Sequence, residues 1–541
     1  MSANLSHLSG KKGMRAGIFR ALVARSRQHA LGRSDFRELS QTSLFGTANL
    51  YGTASFYDYL RPEEAGIQVR VCSGTCCELA GTQPALKAAI AAHVPAERIG
   101  HAVCLGRCYE NASFQVGDHN FSGKTDVAAV FAGQAPPQTP IRALAMTEHQ
   151  FLTGQPLDLP QFMARLDGIF ATPAAELLHE IDVSGLRGRG GAGFPLARKL
   201  AACQDAVGET KFVVCNGDEG DPGAFSDRYL LEQQPYLVLL GMAIAARIVG
   251  ADAAIVYIRA EYPEALAAIE SAIAALEAHG LDHDLEFIAV AGAGSYVCGE
   301  ETALLSSLEG QRPEVRVRPP FPVVQGLFLQ PTVVSNVESL ACLPGVVAHG
   351  AVEFSKCGSA RSTGTKLVCL DGTFVRPGVY EVPMGTPLAA IIDGLGGGTR
   401  IPVKAFQIGG PLGGIVPVAQ IADLHLDFES LHDAGFLLGH ASIVGIPEHV
   451  RLIDLVAHLF AFAAAESCGK CYPCRIGTQR GLEMVNAAAT APIDPQLFDD
   501  LLETLEIGSL CALGGGLPLP IRNLLTHFPA ELAGYFQGGQ P

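Results

Sequence analysis

Five glycines and two arginines crowd one stretch, Ser184-Gly-Leu-Arg-Gly-Arg-Gly-Gly-Ala-Gly-Phe-Pro195, with Lys199 just beyond it. Gly has no Cβ, so the backbone N–H groups of Gly185, Gly188, Gly190, Gly191 and Gly193 can come close to an anion or a flat ring. Arg187, Arg189 and Lys199 would add charge-assisted hydrogen bonds to a phosphate. The stretch reads as a nucleotide cradle, because an ordinary Gly-rich surface loop seldom carries this density of Gly, Arg and Lys. Gly188, Gly190 and Gly193 also satisfy G-x-G-x-x-G, which marks a dinucleotide fold only where it follows a strand and opens a helix. Here Ala174–Asp182 has helical spacing, and Phe194-Pro195 is expected to delay any following helix. The standard fingerprint is therefore not expected.

At 541 residues and 48% hydrophobic content the chain can build roughly three or four domains with large cores. Lys+Arg 38 against Asp+Glu 54 gives a net charge of −16, which argues against nucleic acid or an anionic membrane as a partner. No window carries ~18 uninterrupted apolar residues, and the basic N-terminus lacks a secretory apolar run. A soluble, cytoplasmic protein without direct membrane insertion is expected.

Cysteine usage narrows the chemistry. Of 15 Cys, one group holds Cys72, Cys76, Cys77, Cys104 and Cys108, and a second holds Cys468, Cys471 and Cys474, with Cys511 later. Disulfide frameworks belong to small secreted chains, so metal or cluster ligation is the better reading. Ile67–Val71 alternates as a strand and runs into Cys72. His101–Cys104 looks like a second strand end, so each early Cys pair follows a strand, with the helix 83–93 between them. Cys72-x4-Cys77, 26 residues and Cys104-x3-Cys108 suit a [2Fe–2S] cluster, one pair per iron, with zinc as the alternative. Cys468-x2-Cys471-x2-Cys474 plus Cys511 suits one [4Fe–4S] cluster.

Around these groups the chain divides as follows. Residues 1–65 form a basic helical arm, read as solvated or docking. Residues 66–133 hold the first Cys group, and 134–149 form a Pro-rich linker. Residues 150–360 alternate strand and helix, with strands 211–216, 253–259 and 287–291. The first strand ends in the acidic run Asp218, Glu219, Asp221, and the third runs into Gly292–Glu301; such strand ends are where α/β sheets place ligand contacts. Residues 361–445 begin with two strands around the hairpin signal Asp371-Gly372. Residues 446–541 are helical.

The cradle, Cys215-Asn-Gly-Asp-Glu-Gly-Asp221, Gly294-Ser-Tyr-Val-Cys-Gly-Glu-Glu301 and Pro331-Thr-Val-Val-Ser-Asn-Val-Glu338 together resemble the NADH-binding flavoprotein subunit of respiratory complex I. The same module occurs in NAD-linked soluble hydrogenases and formate dehydrogenases. Val71–Cys77 and Cys104–Cys108 resemble the thioredoxin-like [2Fe–2S] domain of the smaller complex I subunit that accompanies it. The resemblance implies an α/β multidomain chain: a thioredoxin-like [2Fe–2S] domain, a Rossmann-like FMN/NADH domain, a β-grasp (ubiquitin-like) insert and a C-terminal helical [4Fe–4S] bundle. It implies FMN contacts from Gly188, Arg189, Lys199, Asn216, Asp218, Tyr296, Gly299, Glu300 and Asn336, with Gly190 also cofactor-binding. The NADH side would take Gly191, Phe194, Glu219, Asp221, Glu301 and Phe321. Cys72, Cys77, Cys104 and Cys108 would hold the [2Fe–2S] cluster, leaving Cys76 as a spare thiol. Cys468, Cys471, Cys474 and Cys511 would hold the [4Fe–4S] cluster. Ser335, Ala202 and Tyr472 depart from the usual Asn, aromatic and Thr of the family.

Those features imply a diaphorase subunit: hydride passes between NADH and FMN, and single electrons then pass through the clusters to or from another subunit. Fusion of both modules in one chain is more typical of soluble NAD-linked formate dehydrogenases and hydrogenases than of complex I. The alternatives are a complex I NADH-input subunit or a non-catalytic electron-conducting subunit. The chain shows no molybdopterin, Ni–Fe or quinone module, so that chemistry is expected in a partner.

Overall fold

The computed structural model describes residue 14 and residues 17–43, 45–135, 140–280 and 283–537. Lys11, Lys12, Arg15 and the linker prolines Pro136 and Pro137 lie outside the described residues.

Helices Ile18–Ser26, Arg33–Ser43 and Thr47–Ala54 open the described chain. They are not a solvated arm. Phe19, Leu22, Phe36, Leu39, Leu50 and Tyr57 share a buried cluster with Ile255, Tyr257 and Leu304 of the nucleotide unit. Tyr57 donates its hydroxyl to Ser307 Oγ at 2.8 Å inside that core.

The first Cys group stands on a four-stranded sheet, β1 (Val69–Cys72), β2 (Ile99–Ala102), β3 (Phe114–Val116) and β4 (His119–Phe121), ordered β2-β1-β3-β4. β1 and β2 are parallel, with Cys72 opposite Ala102, so the two Cys loops leave the same end of the sheet. The segment read as linker contributes β5 (Ala143–Ala145).

A second sheet contains β6 (Phe212–Gly217), β7 (Ala253–Ile258), β8 (Glu286–Ala291) and β9 (Thr332–Asn336), all parallel. β7 is buried at every position, as expected for strands covered on both faces. Helix Pro235–Val249 beside it is buried almost all round, which explains its lack of a polar stripe. The order β8-β7-β6-β9 is the 3-2-1-4 order of a doubly wound sheet, and it reverses between β6 and β9. Crevices for ligands open at such a switch point, outside the strands' carboxyl ends. The chain places Asn216-Gly217-Asp218 and Asn336 there.

The third sheet comprises β10 (Thr365–Leu370), β11 (Gly378–Pro383), β12 (Val403–Ile408), β13 (Gly414–Pro417) and β14 (Ser442–Pro447), with β5 added in parallel to β11. β10 and β11 pair antiparallel around the expected turn. Buried Glu381 on β11 accepts from the backbone N–H groups of Phe151, Leu152 and Thr153 and from the Thr153 and Thr365 hydroxyls, fastening this sheet to the start of the nucleotide unit. Helices Leu452–Glu466, Tyr472–Ala487, Pro495–Gly508 and Pro518–His527 complete the chain. Among the described residues, no helix is long and apolar enough to cross a membrane.

Candidate functional site

The switch point of the parallel sheet opens into a cavity of about 240 Å³. Its lining brings together Gly190 from the cradle; Asn216, Asp218, Glu219 and Asp221 after β6; Tyr296, Gly299 and Glu300 after β8; and Asn336 at the end of β9. These residues lie up to 146 positions apart in the chain, 190 to 336, and strand order alone makes them neighbours.

Local hydrogen bonds hold this wall. Asn216 donates to Gly299 O at 2.8 Å, joining the loops after β6 and β8. Asn336 caps helix Val337–Ala341 through Ser339 N, and its amide donates to Asp227 Oδ2 at 2.6 Å. Glu300 caps the helix that begins at Glu301, one carboxylate oxygen accepting from Thr302 N and Ala303 N at 2.9 Å. Its other oxygen accepts no hydrogen bond and lies 3.8 Å from Arg318 Nη1, and Asp218 Oδ2 and Asp227 Oδ1 are likewise buried without a hydrogen-bond partner. Burial pushes the Asp218 and Asp227 carboxyls well above the usual carboxylate range. Unpaired buried acceptors are rare in folded chains. Three around one cavity fit a ligand rich in N–H and O–H donors, as flavin ring edges and ribityl or ribose hydroxyls are.

Some residues singled out in the sequence face elsewhere. Arg189 is 1% exposed; its guanidinium donates to Thr363 O at 2.6 Å and points to Met384 Sδ at 3.0 Å, so it holds the third sheet rather than lining the cavity. Glu219 lines the cavity, but its carboxylate is committed to the first turn of helix Ser226–Gln233, accepting from Asp227 N and Arg228 N at 3.0 Å. Lys199 donates to Val334 O at 2.9 Å and lies 3.6 Å from Glu301. Helix Leu196–Asp205 starts directly after Pro195, so Phe194-Pro195 does not delay it; Pro195 sits at its N-cap, where no N–H is required. Phe194 and Phe321 are exposed and lie outside the cavity lining, as do Gly188, Gly191 and Glu301.

Other cavity residues escaped sequence reasoning. Asp227 belongs to the acidic run and could have been included on that signal. Leu412 and His440 arrive from the third sheet with no local motif. Asp221 accepts from Tyr296 Oη at 2.6 Å, and His440 Nε2 lies 2.7 Å from its other oxygen, at ion-pair distance but off the hydrogen-bond direction.

The far wall is Cys511-Ala512-Leu513, so the cavity borders the second Cys group directly. Cys471 is the N-cap of helix Tyr472–Ala487 and Cys474 lies in its first turn, where burial raises the Cys474 thiol above its ordinary value. Leu510 N donates to Cys471 Sγ at 3.3 Å, and Ser467 Oγ lies 3.3 Å from Cys474 Sγ. Such hydrogen bonds to sulfur are what tune iron–sulfur ligands. Lys470 pairs with Glu314 at 3.5 Å, and Arg475 lies 5.6 Å from the Tyr472 ring centroid.

The first Cys group packs behind the acidic loop. Cys104 and Cys108 sulfurs are 3.5 Å apart, close to the ~3.8 Å of two thiolates on one tetrahedral centre with bonds near 2.3 Å. Gly106 N donates to Cys104 Sγ at 3.4 Å, and Gly223 N, from the loop after β6, donates to Cys108 Sγ at 3.2 Å. One loop thus faces the cavity in front and the early thiols behind. Among the described residues, no group of three or more His, Cys, Asp or Glu is preformed for a single metal ion.

A switch-point cavity with unpaired acceptors, bordered by Cys511 of the second Cys group, fits an oxidoreductase of the nucleotide-cofactor and iron–sulfur class. Residues 181–345 match the family described as the Nuo51 FMN-binding domain. Residues 454–535 match the NADH-ubiquinone oxidoreductase-F iron-sulfur binding region. The second F-type NADH-quinone oxidoreductase subunit of Rhizobium meliloti (strain 1021) is 40% identical over 376 residues, 67% of this chain and 89% of the relative. The NADP-reducing hydrogenase subunit HndC of Solidesulfovibrio fructosivorans is 39% identical over 375 residues, 66% of this chain and 76% of its own. A crystal structure of an NAD+-reducing [NiFe]-hydrogenase in the H2-reduced state aligns at TM-score 0.83 and 31% identity, covering 97% of this chain and 94% of that one. The chain belongs to the family of F-type NADH-quinone oxidoreductase subunits. It is an FMN-binding, iron–sulfur oxidoreductase subunit with a mixed α/β fold.

The cradle's tightest point supplies a test. A Cβ on Gly190 would sit 2.9 Å from Asn336 Cβ, and Asn336 is held by its cap and by Asp227. Gly190→Ala is expected to cost about 1–3 kcal/mol through overpacking and to purify with flavin depleted, read from its absorbance. Full flavin content would show that the loop shifts freely.

Proposed function

We propose that this chain is the diaphorase subunit of a soluble, cytoplasmic NAD-linked formate dehydrogenase or hydrogenase, exchanging electrons between NADH and a partner subunit. The observation that carries the reading is the wall shared between the switch-point cavity and Cys511. When bound, FMN supplies the conversion between two-electron hydride chemistry and one-electron transfer. Asn216, Asp218, Tyr296, Gly299, Glu300 and Asn336 would hold it, with Gly190 letting the backbone approach its face. Asp221, paired with Tyr296 and His440, keeps that wall in place on the nucleotide side. The exposed rings of Phe194 and Phe321 stand outside the lining, available to stack on NADH. Cys468, Cys471, Cys474 and Cys511 would hold the [4Fe–4S] cluster. Cys72, Cys77, Cys104 and Cys108 would hold a [2Fe–2S] cluster on a thioredoxin-like domain spanning 66–133. The flavin unit then spans 150–360, a β-grasp unit 361–445 and the cluster bundle 446–541.

Alignment of the NAD+-reducing hydrogenase structure with 97% of this chain favours the fused type over a complex I input subunit. Purified protein should show a flavin spectrum and reduce ferricyanide with NADH. A colourless chain inert to NADH would defeat the proposal. Native purification should bring down a larger subunit carrying the formate or hydrogen chemistry.

Lys199 stands outside the cavity lining, bonded to Val334 O, and is proposed to meet the FMN phosphate beyond that lining, whereas Asp221 stands on the nucleotide side. Loss of a charged partner of a bound phosphate costs about 1.5–3 kcal/mol, roughly ten- to a hundredfold in affinity. Lys199→Ala should therefore purify with less than one FMN per chain and recover it from added FMN. Asp221→Ala should keep its FMN and raise the KM for NADH. Equal flavin loss in both variants would merge the two loops into one flavin-holding unit.

A further inference from the structure

The Gly run Gly409-Gly-Pro-Leu-Gly-Gly414 turns between β12 and β13 against the cavity, to which it lends Leu412. Its first two residues make a crossing that admits no side chain. A Cβ on Gly439 would lie 2.3 Å from Gly409 O. One on Gly410, whose φ is +92°, would lie 2.8 Å from Asp221 Cγ and 2.9 Å from His440 Nε2. The crossing thus presses His440 against Asp221. Among the described residues, His440 is the only basic side chain in the cavity lining, beside the acids Asp218, Glu219, Asp221, Asp227 and Glu300. It is 9% exposed, and neither ring nitrogen has a hydrogen-bond partner. An imidazole carries at least one N–H whether neutral or charged, and buried donors without a partner are rare. Nε2 stands 2.7 Å from Asp221 Oδ2, so only the direction of the ring, not its distance, keeps that bond from forming.

We propose that His440 is a positioning residue for the nucleotide: its ring turns to donate Nε2–H to Asp221 Oδ2 when NADH or NAD+ binds, and so sets the carboxylate that meets the nucleotide. This deepens the nucleotide-side reading of Asp221 given above and rests on it. Tyr296 Oη already donates to Oδ1 at 2.6 Å. With His440 on the other oxygen the carboxylate is held against rotation. Each oxygen then keeps a lone pair for a ribose hydroxyl or the carboxamide N–H of the nucleotide. The third sheet thereby becomes a working part of the nucleotide site, because the glycine crossing is what brings His440 to Asp221.

The test uses the full chain with its flavin. It reads FMN content by absorbance, the Kd for NAD+ by calorimetry, and KM and kcat with NADH and ferricyanide. His440→Ala should keep its FMN, while its Kd for NAD+ and KM for NADH each rise about tenfold, the effect of a lost charge-assisted hydrogen bond. The change in KM should exceed that in kcat. His440→Gln, whose amide can donate to the same oxygen, should recover most of the loss. His440→Ala/Asp221→Ala should bind no more weakly than Asp221→Ala, because His440 acts through that carboxylate. Unchanged nucleotide affinity in His440→Ala, loss of its FMN, or a double variant whose loss multiplies those of the single variants each overturns the proposal. Should His440→Ala not fold, His440→Met, which fills the space without a donor, applies the same criterion. Failure of the unmodified chain to bind NAD+ would remove the nucleotide reading instead, a result distinct from any variant outcome.

Discussion

Cys471→Ala should lose its [4Fe–4S] signal entirely while keeping FMN that NADH still reduces. Cys471 stands at the start of helix Tyr472–Ala487 and receives only Leu510 N, at 3.3 Å. It contributes nothing to the cavity, whereas Cys511 is part of the cavity wall. Cys511→Ala should therefore lose the cluster and weaken flavin binding as well. Because four thiolates complete the cluster, removal of either ligand is expected to be all-or-none for the iron signal. Iron and sulfide analysis together with flavin absorbance reads both variants. A Cys471→Ala protein that sheds flavin but retains its iron would reverse the assignment of the two sites.

The second large effect lies outside the cavity lining. Lys366 and Glu338 side chains are 0% and 1% exposed and pair between β10 and the helix after β9. Glu338 Oε1 also accepts from Leu367 N at 2.9 Å. Glu338→Ala would leave a fully buried ammonium uncompensated, which typically costs about 3–5 kcal/mol. Replacing both partners by apolar residues of similar size is often neutral, so Glu338→Leu/Lys366→Met should recover most of the loss. Denaturant midpoints and resistance to proteolysis at the junction of the two sheets measure it. Equal destabilisation in the single and double variants would show that the contact acts through shape rather than charge.

Local chemistry made much of this chain legible in advance. β6, β7 and β8 are short apolar runs bounded by Gly and acidic residues, and they form where that pattern places them. Cys468, Cys471 and Cys474 read as ligands of one centre through their x2 spacing on a single loop, with Cys511 proposed as the fourth. The helix before the cradle was equally plain from its periodicity, and it rightly counts against a standard dinucleotide fingerprint. Each of these is decided within a few residues.

What only the tertiary structure decided is where side chains turn once distant segments arrive. Arg189 sits in the densest cationic stretch, yet its guanidinium is taken up by Thr363 and Met384, more than 170 positions later. Glu219 reads like its neighbours Asp218 and Asp221 but is drawn inward to cap a helix. His440 and Leu412 reach the cavity because the third sheet packs there, and nothing near them in the chain signals it. Cys76 and Cys77 cannot be told apart by composition; consecutive on one short helix, they fall in different buried clusters. Sequence thus determined the elements, whose causes are local. The fold determined the facing of each charged and thiol group, because burial is expensive for these groups and each must find its partner among whatever residues packing supplies.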